Sequence, residues 1–422
     1  MTGIVKTDQI QGAGSSTVTI PSGTALNVTT VSGTPTFSGA STFSGDVTLP
    51  SINGGQIGGR RNIIINGAMN VAQRGTSSTD SNTYGTVDRL DSRINGQDNA
   101  VTQAQVDVSS GTTPYSLGFR KAFKYTNGNQ SSGAGATDYL FAFYKIEAQD
   151  IVNSGWDYTS SSSHITISFW VKASVSQNYY GYLRTPDGTA QKHSFETGTL
   201  TADTWTKVTK TFSGNSNITI DNDTGSGLVW YLAPFLGTDY TDNSASLTAW
   251  EAYSSGTRTP DSTSTWWTTN SATLELTGLQ LEVGEQATPF EHRSFGEELA
   301  LCRRYYQRYG YPFTDFVNST SNSWVDATIW FLCLPFDADD CVGSHALPVE
   351  MRARPTATMT DAYIRLQNNG QNFNSGNTLQ VNGSSSSHAS LHIDTDAGLN
   401  ATNVISFTFN NANGYYDLSA EL

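Results

Sequence analysis

Basic clusters, long apolar runs and a cysteine framework are all missing from this chain, and each absence removes a class of function. Only 14% of the residues are charged, against about 25% on average, so solubility has to come from Ser, Thr, Asn and Gly. The net charge is −14, and Lys/Arg clusters do not extend beyond pairs such as Arg60-Arg61 and Arg303-Arg304. Nucleic acids and anionic membrane surfaces both select basic patches, so neither partner is expected. No apolar run is long enough to span a bilayer. The opening, Met1-Thr2-Gly3-Ile4-Val5-Lys6, has no apolar segment of the signal-peptide kind, which predicts folding in a cytosol. Three cysteines, Cys302, Cys333 and Cys341, make no framework. Cys333 and Cys341 can pair across eight residues, but burial as small hydrophobes in a reducing compartment is the expected state of all three.

Catalytic signatures are missing too. The chain has no GxSxG, HExxH, GxxxxGK or CxxC, so no enzymatic activity is expected. Its six histidines are dispersed, and His388 and His392 would stand about 13 Å apart in a strand, too far for one metal. Asp221-Asn222-Asp223-Thr224 and Asp337-Ala338-Asp339-Asp340 offer oxygen ligands of the calcium type. Acidic turns account for them more simply, so no cofactor is expected, with calcium the one candidate.

What is present begins with a repeat. Thr24, Thr30, Thr36, Thr42 and Thr48 stand six residues apart, followed by Ala25, Val31, Phe37, Phe43 and Leu49. A hexad cannot bury its own apolar side chains and needs neighbouring copies to make a core. The pattern predicts an oligomeric β shaft packed through Val31, Phe37, Phe43 and Leu49. A Ser/Thr/Gly-rich flexible leader is the competing reading.

Beyond Gly54 to Gly59 the character changes. Aromatics form 11% of the chain, enough to build real cores. His164 to Lys172 alternates, with Ile165, Ile167, Phe169 and Val171 on one face and Trp170 an exception on the other. Ala272, Leu274 and Leu276 share one phase, Leu279, Leu281 and Val283 the opposite one, so Thr277-Gly278 marks a β-bulge. Short strands, polar turns and little helical periodicity predict a mainly β protein with an antiparallel β-sandwich of the jelly-roll type over 61–293. Residues 1–60 are the shaft, 294–310 a short helical neck, and 311–422 a C-terminal β domain. In the neck, Ser294 and Glu297 form a capping box and Gly310 suits a C′ glycine. Phe295, Leu299, Cys302, Tyr306 and Tyr309 are spaced 4-3-4-3, as in a coiled-coil seam. Two heptads do not separate a symmetric neck from a lone helix packed on the sandwich.

A series of short stretches carries a resemblance to a known family. They include Lys6 to Ile10 with Ser15 to Pro21, Arg61 to Met69, Gln73-Arg74-Gly75 with Asp88-Arg89, and Leu279 to Gly284. Ala287 to Glu291, Cys302 to Tyr306, Leu347 to Arg352 with Pro355-Thr356, and Ala420-Glu421-Leu422 continue the series in order. In this order the stretches resemble the structural fibre proteins of tailed phages that infect marine bacteria, and the resemblance implies a homotrimeric tail fibre assembled in the host cytoplasm. Its N-terminus would join other virion proteins and its distal β domains would meet a host glycan or receptor. It carries over no catalytic positions.

Low charge with many aromatics and amides suits a neutral glycan, whose C–H faces stack on Trp and Tyr while amides bond its hydroxyls. Trp266 and Trp267, Tyr179 and Tyr180, and the amide-rich run with Asn369, Asn372 and Phe373 are the candidate contacts. Trp170, Trp205 and Trp230 lie in strand-like runs and are assigned to core. A virion connector without a host ligand and a glycan-degrading spike are the alternatives.

The repeat makes a direct prediction. Light scattering of the full chain should give three times the 45.5 kDa chain mass, and removal of residues 1–60 with the neck should abolish that assembly. A stable monomer would leave the hexads as a linker.

Overall fold

A register shift in one long strand determines how residues 62–67 dock. The computed structural model describes residues 60–80, 82–310, 332–335, 340–360, 364–368, 371–373, 378–381, 385–394, 405–409 and 415–422. The shaft positions Val31, Phe37, Phe43 and Leu49 lie outside the described residues. In chain order the sandwich strands are β1 (Ser77–Ser78), β2 (Leu90–Asn95), β3 (Thr102–Asp107), β4 (Lys121–Thr126), β5 (Tyr139–Glu147) and β6 (His164–Ala173). They continue as β7 (Asn178–Thr185), β8 (Gln191–Thr199), β9 (Thr206–Ser213), β10 (Ser226–Leu236), β11 (Glu251–Ala252) and β12 (Thr273–Val283). One sheet has the order β1-β3-β4-β12-β6-β9 and the other β11-β8-β7-β10-β5-β2. Every pairing between these strands is antiparallel, as the sandwich expectation requires.

The two sheets bury one core between them. Ile165, Ile167, Phe169 and Val171 of β6 are fully buried, as their alternation predicts, and meet Leu228, Trp230 and Leu232 of β10. Phe169 and Trp230 stand edge to face at 5.5 Å, a geometry worth about 0.5–1.5 kcal/mol beyond area burial.

The predicted bulge is present. β12 pairs with β6 through Thr277↔Trp170 and then Gln280↔Ser168, so Gly278 and Leu279 oppose Phe169 alone. Gly278 has φ +64, and a Cβ there would stand 2.7 Å from Phe119 Cζ, so only glycine fits. The extra residue returns Leu279 and Leu281 to the core face already occupied by Leu274 and Leu276.

The same strand loses β4 as a partner after Leu276, which exposes backbone groups that have to be paired. Residues 62–67 take them. Asn62 Nδ2 donates to Leu279 O at 3.2 Å, while Leu281 N donates to Asn62 Oδ1 at 3.1 Å. Ile63 N donates to Leu281 O and Leu279 N to Gly67 O, both at 2.9 Å. Asn66, with φ +61, donates from its amide to Val71 O at 2.8 Å and Asp88 O at 3.0 Å.

The neck expectation needs correction. The helix runs only from Phe295 to Arg303, with Ser294 Oγ accepting from Glu297 N as the capping box predicted. Tyr306–Gly310 is a strand, paired with Tyr415–Ser419. Tyr306 and Tyr309 therefore share no helical seam with Phe295, Leu299 and Cys302, and Gly310 is not a helix cap. The tertiary partner decides: the strand brings Arg308 opposite Asp417, where the guanidinium makes two hydrogen bonds of 2.7 and 2.8 Å. Phe295 is 55% exposed, while Cys302 is buried within its own chain.

Tyr415–Ser419 is the central strand of a three-stranded sheet whose other edge is Thr356–Thr360. A seven-stranded sheet forms the rest of the described C-terminal region. In it Cys333 lies opposite Gly343 and Cys341 opposite Pro335. The end of the chain returns to the sandwich. Glu421 bridges Arg89 and Arg74, the latter at 3.1 Å. Arg89 lies 3.4 Å from the Tyr305 ring centroid and Arg74 3.5 Å from that of Tyr306. Arg304 grips Glu147 with two bonds of 2.9 Å.

Glu421→Ala should cost about 3–5 kcal/mol in urea unfolding of the full chain, because it leaves the buried Arg89 charge uncompensated. Glu421→Gln, which keeps the acceptor oxygen, should cost less. A neutral result for Glu421→Ala would mean the closing residues are not held by this contact.

Candidate functional site

The aromatics singled out from sequence separate into core and surface. Trp266 and Trp267 lie in a helical turn, Thr265–Thr268, and both are fully buried. Trp266 Nε1 donates to Thr273 O at 3.1 Å and Trp267 Nε1 to Gly133 O at 3.0 Å. They are core, not ligand contacts. A strand would have sent neighbouring side chains to opposite faces, whereas a helical turn lets both point inward. Tyr179 is also core, 1% exposed, with its hydroxyl on Val175 O at 2.8 Å. Tyr180, on the other face of β7, is half-buried. Asn372 and Phe373 belong to the strand Gln371–Phe373, paired with Gln367 and Leu366, and Asn369 lies outside the described residues. In the acidic turn of residues 221–224, Asp223 Oδ1 accepts from Gly225 N at 2.8 Å. Among the described residues no group of three or more His, Cys, Asp or Glu can hold a metal ion.

The structure brings other aromatics to the surface. Trp230 is core as expected, but Trp170 and Trp205 are half-buried on the outer face of the β6-containing sheet. They pack against a separate cluster of Ala68, Val108, Phe119 and Ala122. The signal was in the sequence: Trp170 broke the alternation of β6, and a large apolar residue on the polar face has to find cover or a partner.

A cleft of about 410 Å³ opens over this cluster, within the ~300–1,000 Å³ range of small-ligand pockets. Trp170, Phe119 and Phe290 give it aromatic walls, and Lys207 and His292 supply polar groups. Phe119 and Phe290 meet edge to face at 4.8 Å, and His292 stands 4.9 Å from Phe290. The bulge builds the floor. A Cβ at Gly278 would lie 3.2 Å from Trp170 Cδ1, so the glycine lets the indole lie close over β12. Leu117, 51% exposed, also lines the opening. The arrangement can hold a flat ligand with one apolar face and polar edges; it contains no paired carboxylates of the glycosidase kind among its lining residues.

The outer face of the other sheet is aromatic as well. Register aligns Asp91, Phe143, Tyr231, Tyr182 and Ser194 in one cross-strand row. Tyr182 and Tyr231 stack at 4.1 Å with an 11° interplanar angle. At the row's edge Asp91 Oδ1 accepts from Ser92 N at 2.7 Å and pairs with Arg93, while Oδ2 is buried without a partner. Burial pushes this carboxyl from an ordinary 3.8 up to about 6, against the opposing pull of Arg93.

No protein-family model matches the chain, and no curated protein matches it. Among solved structures it is similar to the enzymatically active domain of a bacteriophage CBA120 tailspike protein, at 9% identity and a TM-score of 0.27 over 53% of this chain. The match spans about a fifth of that protein, 21% of its length. It is also similar to a putative sugar binding protein from Bacteroides thetaiotaomicron, at 12% identity and a TM-score of 0.26 over 54% of this chain and 100% of that one. A module, TmCBM61, in complex with β-1,4-galactotriose gives 9% identity and 0.25 over 54% and 100%. Overlap this partial assigns neither fold nor function.

Asp91 yields a pH prediction. Between about pH 4 and 6 the folded chain keeps a proton that the unfolded chain has shed, so this group's contribution to stability falls as pH rises. Asp91→Asn removes that loss and keeps Oδ1 as acceptor. Its unfolding free energy relative to wild type should rise by about 2–3 kcal/mol between pH 4 and 7. A pH-independent difference would show that Asp91 titrates normally.

Proposed function

We propose that the chain is an attachment fibre protein of a tailed phage and that it adheres to the host surface by binding glycan without cleaving it. The observation that carries the binding part is the half-buried Trp170 beside Phe119 and Phe290 in an open cleft of about 410 Å³. A pyranose ring has an apolar C–H face that stacks on an indole and hydroxyls that bond polar groups such as Lys207 and Ser168. The fibre part is supported by the hexad repeat of residues 24–49 and by the ordered resemblance to phage fibre proteins. Three chains on one shaft would multiply a weak single-site affinity through effective concentration.

The test is isothermal titration of the full chain with neutral oligosaccharides (cellohexaose, xylohexaose and galactotriose), followed by envelope polysaccharide from candidate hosts. At least one should bind, and Trp170→Ala should weaken it tenfold or more, about 1.4 kcal/mol, with the chain still folded at the titration temperature. Binding untouched by Trp170→Ala would remove the cleft from the proposal. Absence of binding to every sugar and host preparation would favour a virion connector, and release of reducing ends would favour a degrading spike.

A further inference from the structure

The second sheet's outer face carries a charge arrangement that the rest of the chain does not lead one to expect. Below the stacked row runs another: Lys145, Val229, Arg184 and Lys192 lie side by side in register, with Glu251 at the end. Lys192 is neutralised by Glu251 at 2.7 Å, and Lys145 donates to Leu422 O. Arg184 makes no ion pair among the described residues. Arg258, from the segment that follows β11, makes none either. Each guanidinium is laid on a ring, Arg184 4.0 Å from the Tyr253 centroid and Arg258 4.6 Å from that of Tyr240. Both act on the Tyr182–Tyr231 stack, where Arg184 and Arg258 each favour the phenolate of Tyr231 against the effect of burial. The Nε of each is buried with no hydrogen-bond partner.

A guanidinium stacked on an aromatic holds its two terminal nitrogens in one plane, in a fork geometry that matches carboxylate or sulfate. Two such groups without a carboxylate partner among the described residues, in a chain of net charge −14, make a local positive field beside aromatic rings. The half-buried Tyr180, opposite Glu196, extends the face.

We propose that this face is a second saccharide site, selective for sugars that carry a carboxylate or sulfate, with Arg184 and Arg258 binding the anion and the half-buried Tyr240 and Tyr253 flanking the ring, while the Tyr182–Tyr231 stack stays buried within the face. The site uses none of the residues of the Trp170 cleft and stands on its own observations. A charge-bearing sugar supplies both guanidiniums with a counter-charge beside the aromatic rings, whereas a neutral one leaves them without it.

Microcalorimetry on the full chain tests it with four probes of similar length: oligogalacturonate, heparin-derived hexasaccharide, neutral galacto-oligosaccharide and single-stranded DNA. Oligogalacturonate binding assigns a carboxylate sugar and heparin binding a sulfated one. Either should exceed DNA at least tenfold and weaken on raising salt from 0.05 to 0.5 M. The double variant Arg184→Gln/Arg258→Gln should lose that binding tenfold or more, and Arg184→Lys/Arg258→Lys should recover part of it, which also controls for folding. Equal binding of DNA, or retention of binding by the folded glutamine variant, overturns the proposal, as does the absence of binding by both anionic sugars.

Discussion

The carboxylate of Glu421 sits between the buried Arg89 and the half-buried Arg74, and the layout of the molecule depends on that contact. Arg89 is 1% exposed and sits at φ +71, a left-handed conformation that costs a non-glycine residue energy. Its charge needs a partner, and the partner arrives from the far end of the chain. Around it, Arg74 and Arg89 lie over Tyr306 and Tyr305, Arg304 grips Glu147, and Arg308 grips Asp417. Arg352 binds Ala420 O at 2.8 Å and Thr224 O at 2.7 Å. Sandwich, helix and closing strand are thus held by planar donors that fix direction as well as distance. Removing either partner strands a buried charge, so the junction is stringent about its components.

The second constraint is the β12 bulge. One extra residue keeps the leucines of both halves inward, frees backbone for Asn62 and Gly67, and leaves Gly278 bare under Trp170. Packing, docking of the entry segment and the shape of the aromatic cleft follow from the same two residues. The opposite sheet has no such opening in its aromatic row; there the rings stack on one another and carry cations. The two outer faces differ in chemistry, apolar and open on one side, aromatic and cationic on the other.

Much of the fold was legible. The alternation of β6, the phase flip at Thr277-Gly278 and the Ser294 cap all stand as the local pattern required, because burial on one face leaves a period in the sequence. The helical neck was misread because 4-3-4-3 spacing measures apolar positions and not their partners; Tyr306 and Tyr309 follow the strand Tyr415–Ser419 instead. Of the candidate site little was legible. Trp266 and Trp267 look exposed in a run of Ser, Thr and Asn, yet Asn127 binds their carbonyls at 3.2 and 2.7 Å and holds both indoles inside. Phe141, Phe143, Tyr182 and Tyr231 became a face only when β2, β5, β7 and β10 lay side by side.

The sequence by itself determined which residues alternate, where the register breaks and which segments repeat, since these depend on neighbours within a few residues. Tertiary structure alone decided which aromatics meet solvent, which arginines find carboxylates and which do not. Those outcomes depend on strands far apart in the chain, where a partner such as Glu421 stands 332 residues from Arg89, and no local pattern encodes a contact at that separation.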